Sequence, residues 1–334
     1  MALNITKALD MRDGLGRVAV FYHYFEADPV YRDNLVFFLS TADLGSVDLY
    51  LVVADSTIPE LPDFPKLKVL NTRNINLDYG GYIQALKHVD APERYDALIF
   101  VNSSVRGPFL PSGTDALWFE HLTRWLSGDV HLVGSSINHL PQGSRYARRY
   151  RALFDHPEPL SHVQTTAYAM TQDAFRHLSS IGFYEDQAAY PKEEVIFRYE
   201  VRLSQEILAK SWNLAALLEG YRGIDYRKPH KDPNFAAVGG DPLRPRAYFG
   251  RTASPQELLF IKTHRSLMDP EDLASWTYTA LSRVKDPKIL AWAPYQSMKD
   301  AAETFLKAAA QQRENHRIGR FRRLTRWLKQ GART

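Results

Sequence analysis

Residues 73–81 bring together side chains and backbone groups that can bind a phosphate-containing ligand. The positions concerned are Arg73, Asn74, Asn76, Asp78, Gly80 and Gly81. Two glycines allow the backbone to approach a ligand closely, and the first N–H groups of the helix predicted to follow can bind a phosphate. The alternative is an Asx turn in which Asp78 only caps that helix. We favour a ligand site, because a cap needs neither an arginine nor two asparagines.

A second polar cluster follows an apolar strand pattern at residues 97–101. Asn102, Ser103 and Ser104 end that pattern, and Arg106 precedes a Gly-Pro turn. Amides and hydroxyls can bind diphosphate oxygens, and an arginine can neutralise a diphosphate through two parallel hydrogen bonds. A surface arginine before a turn is the alternative for Arg106. Two such strand-end loops are what an α/β sheet needs to hold a nucleotide-linked substrate.

Polar residues also end the first two predicted strands. His23 and Glu26 follow the first apolar strand, and Asp55 follows the second. At the carboxyl ends of neighbouring strands, such side chains can contact the base or the ribose of a nucleotide. A satisfied histidine in the core is the more common role for His23 considered alone.

The second half of the chain contributes acidic residues in a helical pattern. Glu193, Glu194 and Glu200 lie within about two helical turns, so the three can share a face. A carboxylate near an acceptor hydroxyl can remove its proton as a bond forms. The alternative is a solvated charged helix, since Glu194 and Arg198 have ordinary i, i+4 spacing. These residues alone do not decide between the two.

The order of the predicted elements indicates an α/β fold. Strands are predicted at residues 17–24, 47–54, 66–70, 97–101, 130–134, 163–170 and 213–218. Helices are predicted at residues 30–44, 81–89, 116–126, 172–181, 193–210, 270–283 and 297–312. Residues 255–264 fit either a helix or a strand. This alternation predicts a mostly parallel central sheet with helices on both faces and a helical extension at the C terminus.

Together, these segments resemble glycosyltransferases of the GT-A fold, most closely the rhamnan-synthesis F-type family of polysaccharide-building enzymes. The resemblance covers roughly residues 17–265. It implies a Rossmann-like, GT-A-like sheet and a nucleotide-diphosphate sugar as the donor. It also implies a glycan or lipid-linked glycan as the acceptor, with inverting transfer in the synthesis of a surface polysaccharide such as capsule or O-antigen.

The resemblance assigns roles to particular residues. Glu200, followed by Leu203 and Ser204, matches an acidic residue that opens a helix in these enzymes and acts as the general base. Glu194 is then a candidate acceptor contact. Lys262 and His264 match a C-terminal basic cluster that returns to the diphosphate.

The same resemblance leaves the metal open. GT-A enzymes commonly hold Mg²⁺ or Mn²⁺ with an Asp-x-Asp motif, and Asn102-Ser103-Ser104 occupies that place without a carboxylate. A metal role for His264 has no second ligand at a matching spacing. Residues 230–251, just upstream, either fold over the donor or acceptor or form a passive insertion.

Positive charge is concentrated at the C terminus. From residue 313 onward there are eight basic residues and one glutamate, so the rest of the chain is acidic although the net charge is +4. Apolar residues recur there at helical spacing, which is typical of a helix lying on an anionic membrane surface. A packed terminal helix or a nucleic-acid contact are the alternatives. We divide the chain into a catalytic domain (1–265), C-terminal helices (266–312) and this tail (313–334).

Composition excludes several classes of protein. The chain has no cysteine, which rules out disulfides, thiolate metal sites and a cysteine nucleophile, and which suits a cytoplasmic protein. It shows no signal-peptide pattern and no apolar run long enough to span a membrane. No P-loop is present, and nucleic acid is not an expected partner, because the net positive charge is confined to the tail.

Two other functions remain at this stage. A nucleotidyltransferase on a similar sheet would need paired carboxylates for two metal ions, and no clear pair occurs at the strand ends. A non-catalytic glycan- or nucleotide-binding protein on the same fold gains some support from the missing Asp-x-Asp motif.

Overall fold

The computed structural model describes residues 17–186, 188–235, 237, 240–263 and 268–331, with side chains placed as far as residue 315. His264 and most side chains of the basic tail therefore lie outside the described part. The strands are β1 Val18–Tyr24, β2 Asp48–Ala54, β3 Leu67–Thr72, β4 Ala97–Asn102, β5 Val105–Arg106, β6 Val130–Gly134, β7 Ile137–Leu140, β8 Leu160–Val163, β9 Ala167–Thr171, β10 Asn213–Ala216 and β11 Ile261–Lys262.

Helices alternate with these strands and then continue alone to the C-terminal end. They are α1 Pro29–Thr41, α2 Leu77–Leu86, α3 Glu120–Thr123, α4 Arg145–Arg151, α5 Gln172–Ser180, α6 Lys192–Val195, α7 Arg202–Ala209, α8 Pro255–Leu258, α9 Pro270–Leu281, α10 Pro287–Leu290 and α11 Ala293–Gly331. A π-helical segment, Ile196–Val201, joins α6 to α7. Short 3₁₀ turns occupy Pro92–Arg94 and Glu219–Tyr221.

Seven strands form the central sheet, in the order β10-β6-β9-β4-β1-β2-β3. β9 runs antiparallel to both of its neighbours, and every other adjacent pair is parallel. Two small antiparallel pairs, β5 with β11 and β7 with β8, lie beside this sheet. The predicted fold class is confirmed: a mostly parallel α/β sheet with flanking helices and a helical C-terminal extension.

The apolar strands of the middle of the sheet are buried on both faces. On one face the ring of Tyr22 lies 4.6 Å from that of Phe38 on α1. On the other face Phe100 lies 5.0 Å from Tyr82 on α2 and 5.0 Å from Phe21. Helices therefore cover both faces, which is why β1 reads as a continuous apolar run rather than an alternating one.

Several predicted elements differ from those observed. The helix predicted at 116–126 is confined to α3, and the strand predicted at 163–170 is two strands, because residues 164–166 carry the chain from the small β7–β8 sheet into the central one. Residues 255–264 contain both a helix, α8, and a strand, β11.

The C-terminal helices pack on the sheet domain through α1. Arg106 is buried and donates from Nε to Asn34 Oδ1 of α1 (3.0 Å) and from Nη1 to Thr277 Oγ1 of α9 (3.0 Å). The Tyr295 hydroxyl of α11 donates to the Leu281 carbonyl of α9 at 2.9 Å. Across the described residues, no helix has the combination of length and apolar character required to cross a bilayer. The three-part domain division remains a prediction.

α2 begins four residues before the helix predicted at 81–89, which places both glycines inside it. A Cβ at Gly80 would lie 1.6 Å from the Ile75 carbonyl oxygen, and one at Gly81 would lie 2.3 Å from Cδ2 of His23. Both distances are far below any real contact. The glycine pair therefore allows α2 to lie against its own preceding loop and against β1.

Alanine at Gly80 or Gly81 should lower the free energy of unfolding by about 2 kcal/mol or more, because neither backbone nor a buried ring can move aside cheaply. This loss should exceed the roughly 1 kcal/mol that alanine gains in helix propensity. Urea denaturation measures both variants. Gly45→Ala is the control, since its new Cβ would meet Asp43 Oδ1 at an ordinary 3.4 Å. Equal unfolding midpoints for all three variants would contradict the packing role.

Candidate functional site

The first turn of α2 meets the end of β4 through a short chain of side-chain hydrogen bonds. Asn102 Nδ2 donates to Asp78 Oδ2 at 3.1 Å, and the Ser104 hydroxyl and N–H donate to Asn102 Oδ1 at 2.5 and 3.1 Å. Asp78 is not the helix cap, because Asn76 holds that position and makes no capping bond with its side chain. The two polar segments singled out in the sequence are thus one cluster.

Burial raises the pKa of Asp78 to about 6. The bond from Asn102, the backbone N–H groups of Asp78 and Tyr79, and the positive charge of Lys262 all oppose that rise. Lys262 lies on β11, where it pairs with Val105 just beyond the end of β4. The structure therefore brings Asp78, Asn102 and Lys262 together at the carboxyl end of the sheet.

Glu200 reaches the same region from another element. Burial raises the pKa of Tyr79 well above its ordinary value, and the carboxylates of Asp78 and Glu200 raise it further. Both carboxylates therefore lie within electrostatic range of one tyrosine hydroxyl. Glu200 belongs to the π-helical segment Ile196–Val201. Such segments are rare and occur frequently at functional sites.

A polar groove of about 630 Å³ lies at the carboxyl ends of β1, β2 and β3. Its lining includes Glu26, Arg32, Asp55, Ser56, Asn71 and Thr72. Asp55 Oδ2 accepts from the Asn74 N–H at 2.9 Å, which links the end of β2 to the loop before α2. Glu26 Oε2 accepts from Arg32 Nη2 at 3.0 Å and from the Tyr24 hydroxyl at 2.6 Å. The loop before α2 therefore connects this groove to the Asp78 cluster.

Sequence reasoning missed some lining residues of this region. Asn71 and Thr72 end β3 as Asp55 ends β2, so the same strand-end argument would have found them. Thr165 lies close enough to Tyr79 to lower the pKa of its hydroxyl, and only the split between β8 and β9 brings it there. No local sequence pattern marks that split.

Three of the predicted donor contacts are internal. His23 is buried against Gly81, and burial lowers its pKa to about 3, so its ring is neutral in the core. Asn76 is also buried: its Nδ2 donates to the Ala188 carbonyl (2.6 Å), and its Oδ1 accepts from the Tyr190 N–H. Ser103 is buried and bonds with the backbone of Phe25. These residues position the site and do not face a ligand.

Arg106 also points away from the cluster, contrary to its predicted role at the diphosphate. Its guanidinium lies between α1 and α9, within 3.8 Å of the Asp33 carboxylate. Burial lowers the pKa of Arg106 to about 10, which still leaves it charged. The alternation of side chains along β5 explains the error, since that strand directs Arg106 to the face covered by α1. Arg73, in contrast, is exposed in the loop before α2.

The three glutamates of residues 193–200 do not share one face of a helix. Glu193 pairs with Arg149 of α4, and Glu194 Oε1 accepts from Arg198 Nε at 2.6 Å. The wider π-helical turn then displaces Glu200 from the α-helical register. Glu194 therefore makes the i, i+4 ion pair that the sequence offered as its alternative role.

The described residues at the end of β4 do not suit a hard divalent cation. Asp78 is the carboxylate nearest this strand end, and one of its oxygens already accepts from an amide. Among the described residues, no group of three or more histidine or acidic side chains is arranged to hold a metal ion. Mg²⁺ at a nucleotide site is usually held by one or two carboxylates together with substrate phosphates, whereas the Asp78 carboxylate that contacts this strand end is already engaged by Asn102.

A further groove, of about 490 Å³, lies at the far end of α1 among Pro65, Phe109 and Trp276. It is more enclosed than the groove at the strand ends. No predicted site residue lines it, so we assign the chemistry to the strand-end cluster.

Comparison with known proteins gives a remote likeness to a solved structure. No protein-family model matches the chain, and no curated protein sequence matches it. Among solved structures, the chain is similar to the mannosyltransferase PcManGT from Pyrobaculum calidifontis, solved in complex with GDP-Man and Mn²⁺. The match has 13% sequence identity and a TM-score of 0.37, and it covers 88% of this chain and 86% of that one. That TM-score is too low to support any inference.

Asp78→Asn should stabilise the fold at pH 8 and not near pH 3. Because burial favours the protonated form of Asp78, protonation of this carboxyl stabilises the folded chain. That stabilisation is complete below the ordinary pKa of 3.8, and it is lost as the pH rises through about 6. Asparagine stays neutral at every pH. We expect a gain of about 1–2 kcal/mol in the free energy of unfolding at pH 8, measured by urea denaturation.

Asp63→Asn is the control for that experiment, because the Asp63 side chain is 87% exposed. Its effect should be small at both pH values. A gain for Asp78→Asn that is the same at pH 3 and pH 8 would show that the carboxyl is not destabilised by burial.

Proposed function

We propose that the protein is a glycosyltransferase that moves a sugar from a nucleotide-diphosphate donor to a hydroxyl of a glycan or lipid-linked glycan. One observation carries the proposal: Asp78, Asn102, Lys262 and Glu200 converge at the carboxyl end of a mostly parallel sheet, next to the polar groove at the ends of β1–β3. Crevices at the carboxyl ends of strands are the usual ligand sites of open α/β sheets. The resemblance of residues 17–265 to the rhamnan-synthesis F-type family supports the same class.

The donor fits this geometry in two parts. The nucleoside occupies the groove, where Glu26 and Asp55 offer carboxylate oxygens to ribose hydroxyls or base N–H groups. The diphosphate then extends toward Asn102 and Lys262. The Lys262 ammonium takes the role first predicted for Arg106, because it is the cation whose charge acts on Asp78. Arg73, exposed in the adjoining loop, provides further positive charge.

Transfer follows from these positions by direct displacement. The acceptor hydroxyl oxygen attacks the anomeric carbon of the sugar while its proton passes to a Glu200 carboxylate oxygen. The bond between that carbon and the diphosphate oxygen breaks, and the diphosphate leaves with the electron pair. Lys262 and the Asn102 amide stabilise the negative charge that develops on it. A single displacement inverts the configuration at the anomeric carbon.

The location of the protein in the cell is also part of the proposal. The basic segment 313–334 suits an anionic membrane surface, and α11 continues as a helix through residue 331. A cytoplasmic enzyme held on the inner face of the membrane would meet a lipid-linked acceptor there. Synthesis of a surface polysaccharide is the role that the family resemblance suggests.

Release of nucleoside diphosphate from a panel of nucleotide-sugars, offered with glycan acceptors, tests the activity. Glu200→Gln should lower kcat by about 10²–10⁴-fold with little change in the KM for the donor, because an amide cannot accept the proton. Glu193→Gln is the matched control on the same helical segment, and it should retain turnover.

Two results would overturn parts of this account. Full turnover by Glu200→Gln would exclude Glu200 as the base. Binding of a nucleotide-sugar without release of diphosphate from any donor would favour a non-catalytic binding protein, the alternative that Asn102-Ser103-Ser104 in place of Asp-x-Asp supports.

A further inference from the structure

Two exposed phenylalanines lie close together in the long segment 227–251. The side chain of Phe235 is 92% exposed and that of Phe249 is 53% exposed. The buried Asn234 connects them, because its Nδ2 donates to the Ala247 carbonyl at 2.9 Å and its Oδ1 accepts from the Phe249 N–H at 3.2 Å. A single exposed apolar residue is ordinary. Two exposed aromatic residues in one short segment are a feature that a surface contact would explain, although one edge of the Phe249 ring rests against Gly220.

Phe249 occupies a backbone conformation that a bulky residue disfavours. Tyr248 and Arg251 exchange two backbone hydrogen bonds of 3.0 Å, which close a two-residue hairpin turn over Phe249 and Gly250. The φ angles of these central residues are +47° and +81°, as in a type I′ turn, for which Asn-Gly is the favoured pair. A bulky residue at positive φ is strained. Such strain concentrates at positions with a function.

The segment that carries the two phenylalanines is rich in cations. The segment has six basic residues and two aspartates. Lys231, Arg244 and Arg246 are exposed, and within the described part of the chain none of the three pairs with a carboxylate. Positive charge without internal partners is available to an anionic partner.

The same segment adjoins the part of the candidate site that contains Tyr79 and Glu200. Gln164 Nε2, in the turn between β8 and β9, donates to Asp241 Oδ1 at 2.8 Å. Ser161 of β8 lies 3.0 Å from Nε2 of His230. These bonds attach the segment next to Thr165, which lies close to Tyr79 near Glu200. A partner bound by the segment would therefore lie beside the mouth of the site.

We propose that Phe235, Phe249, Lys231, Arg244 and Arg246 form a surface that docks on an anionic lipid bilayer. Aromatic rings enter the headgroup region, and arginine and lysine side chains bind anionic headgroups. A soluble anionic polymer would use the cations but leave both rings in water. This contact is separate from the basic tail, and it does not depend on the transfer activity.

Flotation of the full chain with vesicles tests the surface, using phosphatidylcholine alone and phosphatidylcholine mixed with phosphatidylglycerol. The parent should prefer the mixed vesicles. Phe249→Asn should bind them about tenfold more weakly while unfolding at nearly the same urea concentration, since the better fit of Asn-Gly to this turn offsets the lost packing of the ring on Gly220 and Tyr248. Weaker binding with undiminished stability separates docking from a structural role.

Arg244→Gln combined with Arg246→Asn should weaken binding to mixed vesicles by about thirtyfold and leave binding to neutral vesicles nearly unchanged. Leu290→Asn, at an exposed apolar residue of α10, is the control and should bind as the parent does. Parent-like binding by both segment variants would assign the membrane contact to the tail alone and overturn the proposal. The proposal would also be overturned if a soluble polyanion displaced the protein from the vesicles and bound the Phe249→Asn variant as tightly as the parent.

Discussion

The candidate site depends on how closely α2 lies against β1. Gly80 and Gly81 leave no side chain between the helix and either the Ile75 carbonyl or the buried His23 ring. Because the helix lies this low, its first turn reaches the end of β4, and Asp78 can accept from Asn102. A larger residue at either glycine would lift the helix and separate the two strand-end loops. The arrangement of polar groups is therefore a consequence of backbone packing.

Among the described residues, the buried Asp78 carboxylate and the Lys262 ammonium have opposite charges at this strand end. Burial makes the ionised form of Asp78 unfavourable, and Lys262 from β11 offsets part of that cost. A cation already oriented at a partly buried position is well placed to stabilise a departing diphosphate. Arg106, the other candidate, connects α1 to α9 and supports the C-terminal helices on the sheet domain.

The sequence predicted the elements with long buried strands better than it predicted side-chain directions. β1, β2 and β4 were found because their apolar runs are continuous, and the Asp78 and Asn102 loops, both singled out as ligand loops of the sheet, lie against each other. His23, Asn76 and Arg106 were expected to face a ligand, but whether a polar side chain near a strand end points outward depends on register and on the covering helix. Neither the register nor the covering helix can be deduced from the few residues around the strand end.

The π-helical turn shows the same limit for the catalytic candidate. A regular α-helix over residues 193–210 would place Glu193, Glu194 and Glu200 near one face, and the pattern alone gave no sign of a wider turn. The structure pairs Glu193 with Arg149 and Glu194 with Arg198, and it places Glu200 within electrostatic range of Tyr79. The choice of Glu200 came from the family resemblance, and the structure gives that choice a geometric setting.

Calorimetric titration with a panel of nucleoside diphosphates, with Mn²⁺ and with a chelator, tests the central claim that this strand end holds a diphosphate through Lys262. The account predicts that one nucleotide class binds, and that Lys262→Met weakens it by about tenfold or more through loss of a charge-assisted contact. Lys285→Met, at an exposed lysine outside the site, should bind as the parent does. No binding by any nucleotide, or equal binding by Lys262→Met, would contradict the claim.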